Sequence, residues 1–172
     1  LRRLGINSLM KIKSYYFNVN EYFFLNTYLP SSIEDELLLR LGQKPKKWKL
    51  ESIPEAQVNY KMREWVLKTD SLADDFSNVL NQMIAKHIPI AYLEGYQPLM
   101  ACTEYLGWPQ RPKCIFTSNA YSANDVFKAW SAGKTEYGVP LVIGQHGGHH
   151  GMTPWAFHEE HQISVSDAWL SW

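Results

Sequence analysis

The sequence has no surplus of charge of either sign, since 17 Lys and Arg offset 17 Asp and Glu. Non-specific nucleic-acid binding draws on excess positive charge to neutralise phosphates, so the balance argues against that role. Cysteine is scarce as well. Cys102 and Cys114 are too few for a disulfide scaffold, and nothing calls for an oxidising compartment. Long apolar runs are missing. No uncharged apolar stretch of about 18 residues occurs, which argues against a membrane-spanning helix. The nearest candidate, Tyr15 to Leu29, is broken by Asn18, Asn20, Glu21 and Asn26. The Walker loop, the G-x-G-x-x-G fingerprint and the G-x-S-x-G elbow are all absent, so nothing supports an NTPase, a dinucleotide enzyme or a serine hydrolase. No signal-peptide pattern opens the chain. It begins at Leu1 and stops at Trp172 inside an apolar stretch, and the expectation is a piece of a longer polypeptide.

What is present suits one globular unit. Of 172 residues, 45% are hydrophobic and 20% charged, enough to bury a core and far from a disordered composition. Seven Trp and ten Tyr point to an aromatic interior or to flat binding surface. Two portions are expected within one structural domain: a mainly helical 1–87, and a Rossmann-like 88–172 cut short at its C-terminus. Aromatic residues from Tyr15 to Tyr28 are expected to pack in a core or against a neighbour. Ser31 and Glu34 have the spacing of a capping box, followed by Ile33, Leu37, Leu38 and Leu41 at helical period. The Lys44–Lys49 run around Trp48 reads as a solvated loop. Val58, Met62, Trp65 and Val66 predict a helix over 56–68. Asp70 is expected to cap another, with Leu72, Phe76, Val79, Leu80, Met83 and Ile84 as its core stripe and His87 at its end.

From Ile88 the period changes. Short strands are expected at Ile88–Leu93, Lys113–Thr117, Pro140–Gln145, Ile163–Val165 and Ala168–Leu170. Helices are expected over Tyr96–Leu106 and Ser122–Tyr137, the latter with Ser122 and Asp125 at capping spacing and Gly138 as its stop. Strand, helix, strand within this length is a βαβ unit, so the fold class is α/β with a parallel sheet.

Ligands in such sheets bind at the carboxyl ends of the strands. One strand end carries Ser118, Asn119 and Tyr121, leading into a helix N-terminus whose amides favour anions. Another carries Gln145-His146-Gly147-Gly148-His149-His150-Gly151. Glycines there let the backbone approach a ligand, and their amides can cradle a phosphate. A histidine beside such a cradle suits general-base catalysis of transfer from an activated phosphate donor. The competing reading of His146 is a structural histidine satisfying a loop carbonyl. His149 and His150 also read as ordinary loop residues, although His149 is kept as a binding candidate. Metal binding draws on His146-x-x-His149 and His158-x-x-His161 beside Glu159 and Glu160. His158-Glu-Glu-His161 is not the H-E-x-x-H spacing that sets two histidines one helical turn apart, Pro154 and several aromatics separate the two clusters, and no metal site is expected.

Several segments carry a resemblance. They are Leu41-Gly-Gln-Lys-Pro45 with Trp48, Ile90-Ala-Tyr-Leu-Glu-Gly95, Pro112-Lys-Cys-Ile-Phe-Thr-Ser-Asn119, Ile143-Gly-Gln-His-Gly-Gly148 with Gly151, and Ile163-Ser-Val-Ser-Asp167 running into Leu170-Ser-Trp172. With them, the chain from about Ser31 resembles a family of transferases encoded in bacterial surface-carbohydrate (lipopolysaccharide and capsule) gene clusters. The family is similar to two-domain GT-B glycosyltransferases, whose Rossmann-like halves face a cleft. A His-Gly motif at a similar place occurs in polyglycerolphosphate transferases of teichoic acid synthesis. The resemblance implies His146 as the base and Gly147 and Gly148 as the close-approach turn. Ser118, Asn119, Tyr121, Gln145 and His149 would shape the cleft, and Asp167 would be a cleft or hinge residue. It implies glycosyl transfer from a nucleotide-sugar donor to a carbohydrate acceptor, with no further cofactor and no nucleic-acid partner. The missing C-terminal half would carry the donor pocket. The location implied is cytoplasmic, with peripheral association at the inner face of the membrane. The alternatives are a polyol-phosphate transferase of the teichoic-acid type and a non-catalytic carbohydrate-binding or assembly module.

Overall fold

The computed structural model describes residues 20–67, 74–148 and 150–171. Their centre is a parallel four-stranded sheet in the order β1-β2-β3-β4: β1 Tyr22–Phe24, β2 Cys114–Thr117, β3 Leu141–Gly144 and β4 Ala168–Leu170. The helices are α1 Ser31–Arg40, α2 Asp75–His87, α3 Tyr96–Tyr105, α4 Ala120–Ala123, α5 Asp125–Thr135 and α6 Phe157–Val165. This is an α/β architecture of the Rossmann-like kind. No helix among the described residues is long and apolar enough to cross a membrane.

Period-2 alternation assigns the two sheet faces. Phe23 pairs with Ile115, and Ile115 with Leu141. These residues, with Ile143, pack against Leu99 of α3 and Val126, Phe127 and Trp130 of α5. The alternate residues Phe24, Phe116 and Val142 meet Leu37 and Leu38 of α1 on the opposite face. Helices on both faces explain why the strands read as near-continuous apolar runs. Trp130 sits at the middle of the larger core, 4.5 Å from Phe23 and 5.2 Å from Trp108 between ring centroids. Truncating so buried an indole costs about 3–5 kcal/mol.

Several sequence expectations change. The aromatic N-terminal stretch contributes an edge strand, β1, and not merely core side chains. Helix α1 starts at Ser31 as expected, but no side chain caps it. The Glu34 carboxylate turns instead to the Thr27 hydroxyl and the Lys47 ammonium, because a buried acid needs partners more than an exposed amide does. Lys46 lies 3.8 Å over the Trp48 ring, so the basic run is paired as well as solvated. The 56–68 segment forms only one 3-10 turn, Tyr60–Arg63. Val58, Met62 and Val66 are exposed, and an apolar stripe with nothing to bury against cannot offset helix nucleation.

Asp70 and Leu72 lie outside the described residues. Helix α2 is capped by Asp74, whose side chain accepts from the Ser77 amide. Its Phe76, Val79, Leu80 and Met83 are exposed, which corrects the core assignment. Only Ala85 of this helix is buried. Its C-terminal end is tied down by Arg63, which donates to the carbonyls of Ala85, Lys86 and Ile88 and grips Glu94 with two nitrogens. The expected strand at Ile88–Leu93 is a 3-10 turn over Ile90–Tyr92. Pro89 withholds a donor, and the amides of Tyr92 and Leu93 bond to carbonyls three residues back. The predicted Ser122–Tyr137 helix is two helices, because Asn124 breaks the first and caps the second through the Phe127 amide. Ile163–Val165 closes α6 and is not a strand.

Candidate functional site

The carboxyl ends of β1, β2 and β3 meet at one edge of the sheet. Beyond β3 the chain turns through Gln145-His146-Gly147-Gly148, and the last three of these residues help line a cleft of about 510 Å³. Gly144 makes the turn possible. A Cβ there would lie 2.7 Å from Ser118 Oγ and 3.1 Å from the Phe116 ring. Gly147 sits at φ +71°, a region that side chains bearing a Cβ disfavour.

His146 is half-buried on the cleft wall. Its imidazole nitrogens have no hydrogen-bond partner among the described residues, while its ring lies 5.8 Å from that of Tyr28 and 6.3 Å from that of His150. Among the described residues it is not spent on a loop carbonyl. That role belongs to His150, whose Nε2 lies 3.2 Å from the His146 carbonyl. Glu159 completes the clamp. Its carboxylate accepts from the Gly151 amide at 2.7 Å and lies 3.7 Å from His150 Nδ1. Sequence reasoning missed His150 and Glu159 as a pair because the six loop residues 151–156 and the first turn of α6 that separate them give no local signal.

The other candidates separate. Asn119, Gly147 and Gly148 line the cleft with His146. The amides of Gly147 and Gly148 bond to no described residue, which leaves them open to an anion. Gln145 is buried, its backbone amide donating to Leu170 and its side chain to the Gly147 carbonyl, so it braces the turn from behind. Ser118 is 1% exposed and donates to the Thr27 carbonyl at 2.8 Å. Tyr121 is buried, its phenol receiving a hydrogen bond from Gln162, whose own carbonyl accepts from Trp169 Nε1. Asp167 lies at the opposite end of the sheet. It precedes β4, and its carboxylate accepts from the Leu141 amide where β3 begins. His149 lies outside the described residues.

At the helix start after β2, where an anion site is expected, two amides are already taken. Thr117 Oγ1 already accepts from the amides of Asn119 and Ala120, at 3.3 and 3.0 Å. The other histidines serve separate surroundings: His158 lines the cleft, and His161 packs its ring on Tyr121. Among the described residues, no three His, Cys, Asp or Glu groups converge in a way that would hold a metal ion. The mouth of the cleft carries Trp155 and Phe157, each 76% exposed.

No curated protein matches this chain, and no solved structure does. A family model described as LIC12162 family transferase matches residues 2–172. Because that match runs over almost every residue, the protein belongs to the LIC12162 family of transferases.

Proposed function

We propose that this transferase moves a glycosyl group from a nucleotide-sugar donor to a carbohydrate acceptor in surface-polysaccharide synthesis, with His146 as the general base. The observation that carries the reading is an imidazole bonded to no described residue, lining a cleft beside Gly147 and Gly148, whose amides bond to no described residue either. In the reaction, His146 takes the proton of the acceptor hydroxyl. The acceptor oxygen bonds to the anomeric carbon, and the bond from that carbon to the donor phosphate breaks. The nucleotide leaves with the electron pair, its growing charge met by the glycine amides. Exposed Trp155 and Phe157 offer flat faces for a sugar ring.

On this reading the remaining, C-terminal half of a GT-B-like protein supplies most of the donor pocket, and the enzyme works in the cytoplasm at the inner face of the membrane. Glycine amides that bond to no described residue favour a second reading too, transfer of a phosphate-linked polyol by the same base. The test is His146→Ala in the complete protein, with nucleotide-sugars and nucleotide-linked polyols supplied in parallel. Turnover is expected to fall about 10²–10⁴-fold while the circular dichroism is unchanged. A variant that still transfers removes the base. Turnover of the polyol donor alone selects the second reading, and donor-independent carbohydrate binding with no turnover selects a binding module.

A further inference from the structure

Tyr28 holds a conformation that its own chemistry disfavours. It sits at φ +57°, two residues after Asn26 at φ +51°. A bulky residue is a genuine outlier in the left-handed region, and such strain persists only where the surroundings over-determine it. Burial is not the compensation, because Tyr28 is 65% exposed. The surroundings that hold it are specific. The Asn26 carbonyl accepts from the Ser118 amide at 2.9 Å, and the Thr27 carbonyl from the Ser118 hydroxyl at 2.8 Å. Thr27 Oγ1 is anchored on Glu34 and also accepts from the Leu29 amide at 3.3 Å. The fold thus turns the exit of β1 so that one aromatic ring stands over the end of β3.

That ring meets two groups of the cleft. Its centroid lies 5.8 Å from that of His146, within the range of aromatic contact. Its phenol oxygen accepts from Asn119 Nδ2 at 2.9 Å. Tyr28 also lines the neighbouring polar cavity of about 360 Å³, with Thr27, Ser31, Glu34 and Lys47. It therefore stands between this cavity and the cleft of His146. We infer that Tyr28 is a positioning residue of the transfer site, its strained backbone fixing the His146 ring and the Asn119 amide in one arrangement. The inference rests on the functional reading above for its meaning in catalysis. The positioning itself does not.

The test compares Tyr28→Gly and Tyr28→Phe with the wild-type chain by NMR of the His146 ring protons and the Asn119 side-chain amide. Glycine removes the ring and relieves the positive φ. The His146 signals are expected to lose their ring-current shift and approach those of a mobile imidazole, with no fall in the thermal unfolding midpoint. Phenylalanine keeps the ring, so the His146 signals should stay while the Asn119 amide signals move. Tyr28→Asn tolerates the same φ and gives the same readout should the glycine variant fold poorly. In the complete enzyme Tyr28→Gly is expected to lower kcat about tenfold or more with KM little changed, and Tyr28→Phe to stay near wild type. His146 signals unchanged in Tyr28→Gly overturn the inference, and an unchanged kcat where His146→Ala abolishes transfer overturns its role in catalysis. If His146→Ala retains transfer while the Tyr28→Gly signals move, the base assignment fails and the positioning stands.

Discussion

Gly144→Ala tests whether the edge of the sheet is as closely built as its distances state. The added methyl would lie 2.7 Å from Ser118 Oγ, and 3.1 and 3.3 Å from two carbons of the Phe116 ring. Contacts this short cannot stand, and the ring is 8% exposed with little room to retreat. Overpacking of this kind costs about 1–3 kcal/mol. The hydroxyl is the easier group to displace, but moving it breaks its bond to the Thr27 carbonyl and leaves buried polar atoms unpaired, a further loss of about 1–3 kcal/mol. A total of about 2–6 kcal/mol lowers the unfolding midpoint of a chain this size by roughly 4–24 °C. Urea unfolding of the wild type, Gly144→Ala, Ser118→Ala and the double variant measures the effect. Removing the hydroxyl relieves the clash, so the double variant should be more stable than the sum of the singles by about 1 kcal/mol or more. Strict additivity, or a Gly144→Ala chain within about 0.5 kcal/mol of wild type, would refute the reasoning.

Gln162→Leu is expected to destabilise by about 2–4 kcal/mol in denaturant titration, because it leaves the Tyr121 phenol and Trp169 Nε1 without their shared partner. Glu94 sets an acid limit. The Arg63 guanidinium holds its carboxyl at about 2, below the ordinary 4.5, so its contribution is present above pH 4.5 and is lost as pH falls towards 2. Glu94→Gln should flatten the fall in stability over that window, as read by thermal unfolding at stepped pH. Gly147→Ala is expected to cost about 1 kcal/mol through its φ of +71° alone, since no atom crowds the new methyl. Gly148→Ala, in open space with no positive φ, should cost little by the same titration.

How far the sequence can be read depends on where each element's partners lie. The strands at Cys114–Thr117 and Leu141–Gly144 are legible because both faces of the sheet are covered and the strands read as near-continuous apolar runs. β1 is not, since Tyr22–Phe24 has only three residues and becomes a strand through pairing with β2, 92 positions away in sequence. The α2 stripe has the period of a core helix, yet Phe76 and Met83 face outward because period records amphipathicity and not the presence of a neighbour. His146 is legible as a candidate from its glycines, and its ring on the cleft wall, bonded to no described residue, keeps it one. Tyr28, His150 and Glu159 are not, because their relevance comes from contacts across separate loops. Asp167 shows the converse: it sits near the other candidates in sequence, but parallel strands place it at the far end of the sheet.

By itself the sequence determined the α/β class, the two central strands and the glycine turn that carries His146. Those features rest on short-range pattern, where hydrophobic period and the backbone freedom of glycine act within a few residues. Only the tertiary structure decided which polar groups stay free for chemistry. Ser118, Tyr121 and Thr117 are consumed by internal hydrogen bonds, while His146 and the amides of Gly147 and Gly148 are left without partners in the described fold. Whether a donor or acceptor is satisfied depends on every group that surrounds it in space, and most of those groups are distant along the chain.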